Sequence, residues 1–421
     1  MKFLTKEEAD KYIQEADGLR TDYINSNHYV RDLCDTVFQH LNLKGNEYDS
    51  ESFYKFQTEI EFMALYQQLL DVCPEAFSGR DQEVIKASLQ KSIYASIRPQ
   101  LSPNYINELE NNNRDSFLII PSNLDDLPES TDLHGVALIL MKEKNQIIVS
   151  IFDKSQEKQR TNDVKTTCRY TVGNTETQIK TIADILHLGL GYPQEEGQAI
   201  LNEWMKLPGF LYEIFDTIAK EREVCNHIGM GQFFQRNCSI NNLNGALKYV
   251  LGEEHVVKDP VLKDKMAVKT KYKDLTTEKY NSIIVSIVLA HLVKLEADTR
   301  STRLLADAYA IYHLLKKTRA TNKKGLDRFA EKVELGKYMQ EENEKYIHLI
   351  PNTSIGHPVM KEELSSLYKL TEEEINYIQE KSHHLLNNIV PPVSQNMIRK
   401  IAEVHQKIMT ERKVKDTSFT R

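Results

Sequence analysis

His134-Gly135-Val136-Ala137-Leu138-Ile139-Leu140 and Gln146-Ile147-Ile148-Val149-Ser150-Ile151-Phe152 are two apolar runs separated by a Lys/Glu/Asn tip. Short runs rich in valine and isoleucine around a polar tip predict a β-hairpin, apolar enough to be covered on at least one face. The tip is expected to take five to seven residues. Upstream, Phe117-Leu118-Ile119-Ile120-Pro121 is another short apolar run, and its closing proline fits a buried strand. A polar loop from Ser122 to Asp132 joins it to the hairpin, and Thr166 to Val172 adds a further strand before a Gly173-Asn174 turn.

Outside this stretch the pattern is helical, so the expected class is α+β. Residues 1 to about 105 read as helices. Thr5 and Glu8 form a capping box, and Asp49-Ser50 precede a helix with apolar positions at 53, 56, 60, 63 and 70. Asn111-Asn112-Asn113 mark a boundary. From Ile179 to about Arg222 the chain is helical again, with a break at Pro208-Gly209; Asn226 to Phe234 is strand-like. Gly189-Leu190-Gly191 opens like a phosphate-binding loop, but Gln194 stands where the third glycine belongs and a helix precedes it, so it is a turn. Beyond about residue 260 everything reads as helix: 276–297, about 301–317, 325–347, one after the Thr371/Glu374 capping box, and one from Ser394 after Pro391-Pro392.

With 421 residues the chain is long enough for two or three domains. A net charge of −7 and a pI near 6.1, with no strongly basic face or arm, exclude nucleic acid as the expected partner. The five cysteines (Cys34, Cys73, Cys168, Cys225, Cys238) are odd in number and lack CxxC spacing, which fits a reducing cytosol and neither a disulfide framework nor a zinc ribbon. The N-terminus turns polar too early for a signal peptide. The longest apolar run, Ile283 to Val293, is too short to span a bilayer. The expectation is a soluble protein.

Gly229-Met230-Gly231-Gln232-Phe233-Phe234-Gln235-Arg236-Asn237-Cys238-Ser239-Ile240 carries the chemistry. After Cys238 the apolar positions 240, 243, 247 and 250/251 mark one buried helical face, and Gly252 sits where a left-handed cap would end it. Cys238 therefore lies at a helix N-terminus, where free amides and the dipole favour the thiolate. Gln232, six residues upstream, can polarise an oxyanion formed at that sulfur. The plainer reading is a small buried residue beginning a helix. Among thirteen histidines, His134 opens a hydrophobic strand after a loop; Asp153 ends the partner strand, which returns beside the start of the first. An imidazole held by a carboxylate is the base that a thiol nucleophile needs. Taken singly, each residue is better read as a strand end.

Taken together, the order His134, Asp153, Gln232, Cys238 resembles the Ulp/SENP family of ubiquitin-like-protein proteases and its bacterial relatives of the YopJ type. Phe117 to Pro121 looks like that family's strand before the histidine, and Ile151-Phe152-Asp153-Lys154-Ser155 like its strand ending in the acidic residue. The resemblance covers about residues 115–160 and 225–252. It implies an Ulp-like, papain-related core at 106–258 with a helical insertion at about 175–222. A helical N-terminal region (1–105) and a helical C-terminal domain (259–421) flank it. His134 would be the general base, Asp153 its orienter, Gln232 an oxyanion donor and Cys238 the nucleophile, with no cofactor and no metal. The implied partner is ubiquitin or a ubiquitin-like modifier on a target protein. The helical flanks are similar to secreted effectors that bacteria deliver into a host cytoplasm. Two departures are Gly135 where the eukaryotic enzymes carry a tryptophan, and Ser239 where glycine usually follows the cysteine. The alternatives are YopJ-like acetyl transfer with the same triad and a non-catalytic helical binding module.

Overall fold

A computed structural model describes residues 1–26, 28–40, 54, 56–123, 135–153, 167–190, 210–225, 238–258, 266–273, 275–276, 280–281, 283–285 and 287–288. These residues form a mixed α+β structure. The chain divides into two compact units, the first made of Met1–Tyr29, Gly45–Leu70 and Glu75–Asp274, the second of Val30–Lys44, Asp71–Pro74 and Leu275–Arg421.

The first unit is built on five antiparallel strands: β1 (Leu118–Asn123), β2 (Gly135–Glu143), β3 (Gln146–Phe152), β4 (Thr167–Val172) and β5 (Glu221–Cys225). They lie side by side in sequence order. The hairpin is tighter than its composition implied. Glu143 pairs with Gln146, so the turn is Lys144-Asn145 alone, and both residues have positive φ (47° and 60°). Two left-handed residues match the twist of the flanking strands, which lets Met141, Lys142 and Glu143 join the ladder. The Asn-rich stretch expected as a boundary grips this turn. Asn112 Oδ1 accepts from the Lys144 amide (2.9 Å) and Asn111 Oδ1 from the Asn145 amide (2.7 Å).

Strand alternation divides the sheet into two apolar faces. Leu118, Ile120, Leu138, Val149, Ile151 and Tyr170 belong to one, and the core there is completed by α6 (Glu176–Gly189) and α7 (Phe210–Ile218). These helices occupy the stretch expected as an insertion, although Glu221 and Arg222 belong to β5 and not to a helix. Thr175 and Gln178 make a capping box at the start of α6. Gly189 ends it so close to Ser122 that a Cβ would strike the serine Oγ.

The opposite face carries α8 (Cys238–Leu251), and α4 (Gln82–Ile97) packs along the edge strand β1. Two serines bind α4 to the edge strand: Ser92 Oγ accepts from the Ile119 amide (2.9 Å) and Ser88 Oγ from the Phe117 amide (3.2 Å). Backbone groups that an edge strand would otherwise leave unpaired are thereby satisfied.

The N-terminal helices are α1 (Lys6–Ile24), α2 (His28–His40), α3 (Gln57–Val72) and α5 (Ser102–Asn107). The Thr5/Glu8 capping box opens α1 as expected. The third helix begins only after Phe56, whose φ of 55° interrupts the helical path, and Asp49-Ser50 lie outside the described residues. Arg20 makes a two-pronged ion pair with the buried Glu61 (2.9 and 3.1 Å), joining α1 to α3.

The expectation of helix beyond about residue 260 fails at Met266–Lys271. Glu253–Lys258 (β6) and Met266–Lys271 (β7) pair as an antiparallel ribbon. Met266-Ala267-Val268-Lys269-Thr270-Lys271 is too rich in β-branched and alternating residues to favour helix. In the second unit, 280–281, 283–285 and 287–288 are helical, within the helix expected at 276–297. There His40 Nε2 lies 3.0 Å from Asn281 Oδ1, and the His40 ring packs edge-on to Tyr280. The helices expected further on lie outside the described residues. Among the described residues no helix is long and apolar enough to cross a membrane.

Candidate functional site

The helix α8 begins at Cys238, as the spacing indicated. It is not half-exposed. Ile240, Asn241, Asn242, Leu243, Asn244, Ala246 and Leu247 are all buried, so over 240–247 every side of the helix is covered. The apolar spacing indicated a single buried face, and the burial of Asn241, Asn242 and Asn244 extends it, since the fold supplies partners for buried amides. Asn242 Nδ2 donates to the carbonyl of Gly135 (2.7 Å). Asn244 Oδ1 accepts from Tyr66 Oη (3.1 Å), whose hydroxyl also lies 2.9 Å from that of Tyr272.

The far end of α8 is held by arginines. Arg80 donates to the carbonyls of Val250 and Leu251 (both 3.1 Å), while its Nε pairs with Asp115, and Arg114 donates to the carbonyl of Tyr249. Cations at a helix C-terminus satisfy orphan carbonyls and oppose the dipole. The chain leaves through Gly252, where no left-handed cap forms. Glycine is needed because a Cβ would come within 2.6 Å of the Lys248 carbonyl oxygen.

These two attachments fix the helix direction. Arg114 and Asp115 lie just before β1, and Gly135 begins β2. The Cys238 end of α8 therefore stands at the end of the sheet where β1 finishes, β2 starts and β3 finishes. Asn242 is one helical turn from Cys238, and Gly135 is the residue after His134. A single hydrogen bond thus joins the helix that starts at Cys238 to the strand that follows His134.

Asp153 sits at the same sheet end, directly after β3, and is 2% exposed. The last β2–β3 pair is Ala137 with Phe152, so the two-residue turn sets Asp153 level with Val136. The hairpin argument had set it beside the start of β2, at His134; the tighter tip shifts it by two residues. Tyr212 of α7 donates its hydroxyl to Asp153 Oδ2 (3.3 Å). Burial first, and the carboxylate second, push the Tyr212 phenol well above its ordinary range. Asp153 therefore faces the α7 side of the sheet, while α8 covers the other side.

His134 and Gln232 lie outside the described residues, and of Cys238 the structure describes the backbone at the start of α8. Two residues that make contacts at this end of the sheet, Asn242 and Tyr212, were not singled out from the sequence. Asn242 carried a weak signal, as one of three asparagines within two turns of the cysteine. Tyr212 carried none, because only the fold brings α7 to the end of β3. Among the described residues no cluster of His, Cys, Asp and Glu could hold a metal ion. Compared with known protein families, curated proteins and solved structures, the chain matches none.

Proposed function

We propose that the chain is a cysteine isopeptidase that removes ubiquitin or a ubiquitin-like modifier from proteins, and that it acts as a bacterial effector in a host cell. The observation that carries the reading is the Asn242–Gly135 hydrogen bond, which locks the helix starting at Cys238 to the strand that follows His134. The buried Asp153 at the same end of the sheet adds a carboxylate to that neighbourhood.

In this reading His134 takes the thiol proton of Cys238, and the thiolate attacks the carbonyl after the modifier's terminal glycine. Gln232 and the amides at the start of α8 hold the oxyanion. The His134 imidazolium protonates the leaving lysine amine, which departs as the thioester forms. Water, deprotonated by His134, then releases the modifier's carboxylate and regenerates the thiol. Asp153 orients the imidazole from the α7 side, so the reading requires His134 to reach around the strand ends between Asp153 and Cys238.

Hydrolysis of a fluorogenic C-terminal amide of ubiquitin, with SUMO and NEDD8 counterparts, tests this. Cys238→Ala should lower the rate by on the order of 10³-fold or more, without lowering the unfolding midpoint. Activity retained in that variant overturns the assignment.

A further inference from the structure

We infer that the outer edge of β6 joins two copies of the chain, pairing antiparallel with β6 of the second copy about a two-fold axis at Val256. β6 and β7 make a ribbon of two strands, and among the described residues no third strand joins it. A two-stranded ribbon is marginal in water, and a third or fourth strand is what gives such a unit stability of its own. Strand alternation sets Glu253 and His255 on one face of β6 and Glu254 and Val256 on the other. All four are exposed, so neither face is covered along 253–256. Val256 is 66% exposed, the one large apolar side chain so placed among the described residues. No proline stands in β6 to block a further strand.

The edge is complementary to itself. A two-fold axis normal to the ribbon keeps each face on its own side, so residues set opposite each other must belong to the same face. With the axis at Val256, valine opposes valine, and on either side of it position 254, a glutamate, opposes position 258, a lysine. Every other same-face centre within Glu253–Lys258 sets like charges against each other or a charge against a valine. Opposite charges and β-branched residues facing each other across strands are favourable pairs, while like charges are not. Charges on a strand edge ordinarily keep other strands away. Here their signs and spacing repel most strands and fit a second copy of the same one.

β7 offers no such register. Met266–Lys271 contains no acidic residue, so pairing with its own copy brings no opposite charges together. Within the chain Glu254 has Arg114 at 4.0 Å, both of them exposed, and an ion pair at that distance in water does little to hold Glu254 back from another partner. The resulting sheet has four strands in the order β7, β6, β6 of the second copy, β7 of the second copy.

Sedimentation equilibrium of the full chain over a range of concentrations tests this, with wild type, Val256→Lys, Glu254→Lys, Lys258→Glu and the double charge exchange compared. Wild type should associate reversibly to twice 48.7 kDa. Val256→Lys sets two lysines face to face and should weaken the dimer by about a hundredfold or more. Each single charge reversal acts twice across the axis and should weaken it about tenfold or more. The double exchange should return the affinity to near the wild-type value. All four variants should keep the wild-type unfolding midpoint at concentrations where the chain is monomeric. A wild type that is monomeric throughout, or a dimer indifferent to Val256→Lys, overturns the inference. A double exchange that recovers nothing overturns the register, and the axis at Val256 with it.

Discussion

Asn242 shows how one side chain can decide the placement of a helix. It is 0% exposed, and its amide is the partner of the Gly135 carbonyl. Replacing it with leucine keeps the volume but removes that hydrogen bond. Asn242→Leu should therefore destabilise the fold by about 1–3 kcal/mol in urea denaturation, and it should lower catalysis more than a distant change of equal stability cost. A variant as stable as wild type would show that the bond contributes nothing. At this scale the sequence was readable wherever a residue's role is local. Cys238 was placed at a helix start from spacing and end signals alone, and the Thr5/Glu8 box needed nothing beyond its own four residues. Roles that depend on a distant partner were hidden: nothing near Tyr212 announces Asp153, fifty-nine residues away in sequence.

Between elements, the strands β1 to β3 were legible from their short apolar runs, and β4 from the alternation of Cys168, Tyr170 and Val172 with polar residues. The turn was not, because Lys144-Asn145 lacks the glycine that usually marks a two-residue hairpin, and β2 was read as ending at Leu140 when it runs to Glu143. The ribbon β6–β7 was missed because its short alternation follows a long helix and precedes apolar runs of helical length. The contact between α6 and β1 gives a prediction of its own. Gly189 sits against Ser122, so Gly189→Ala forces the helix end away from the sheet. We expect a loss of about 1–3 kcal/mol, partly recovered when Ser122→Gly is added. Additive losses in that pair, measured by denaturant unfolding, would rule out the close approach as the cause.

Across the molecule, the buried phenols set a limit on alkaline stability. Burial and the Asp17 carboxylate push Tyr94 up to about 12, and burial raises Tyr54, Tyr105, Tyr170, Tyr212 and Tyr272 further. In the unfolded chain these groups ionise near pH ~10. Their contribution is fully present below that pH and is lost as pH rises towards the folded values, since only the unfolded state then releases protons. The urea midpoint should hold steady from about pH 8 to pH 10 and fall steeply above it; a midpoint unchanged at about pH 11 would contradict the account. The central claim concerns one sulfur. Incubation of the whole protein with ubiquitin bearing a C-terminal cysteine-reactive warhead, beside SUMO and NEDD8 probes, tests it by intact mass and gel shift. The account predicts one covalent adduct of a single modifier type, formed by wild type and lost in Cys238→Ala. No adduct with any probe, or an adduct that survives Cys238→Ala, would contradict it.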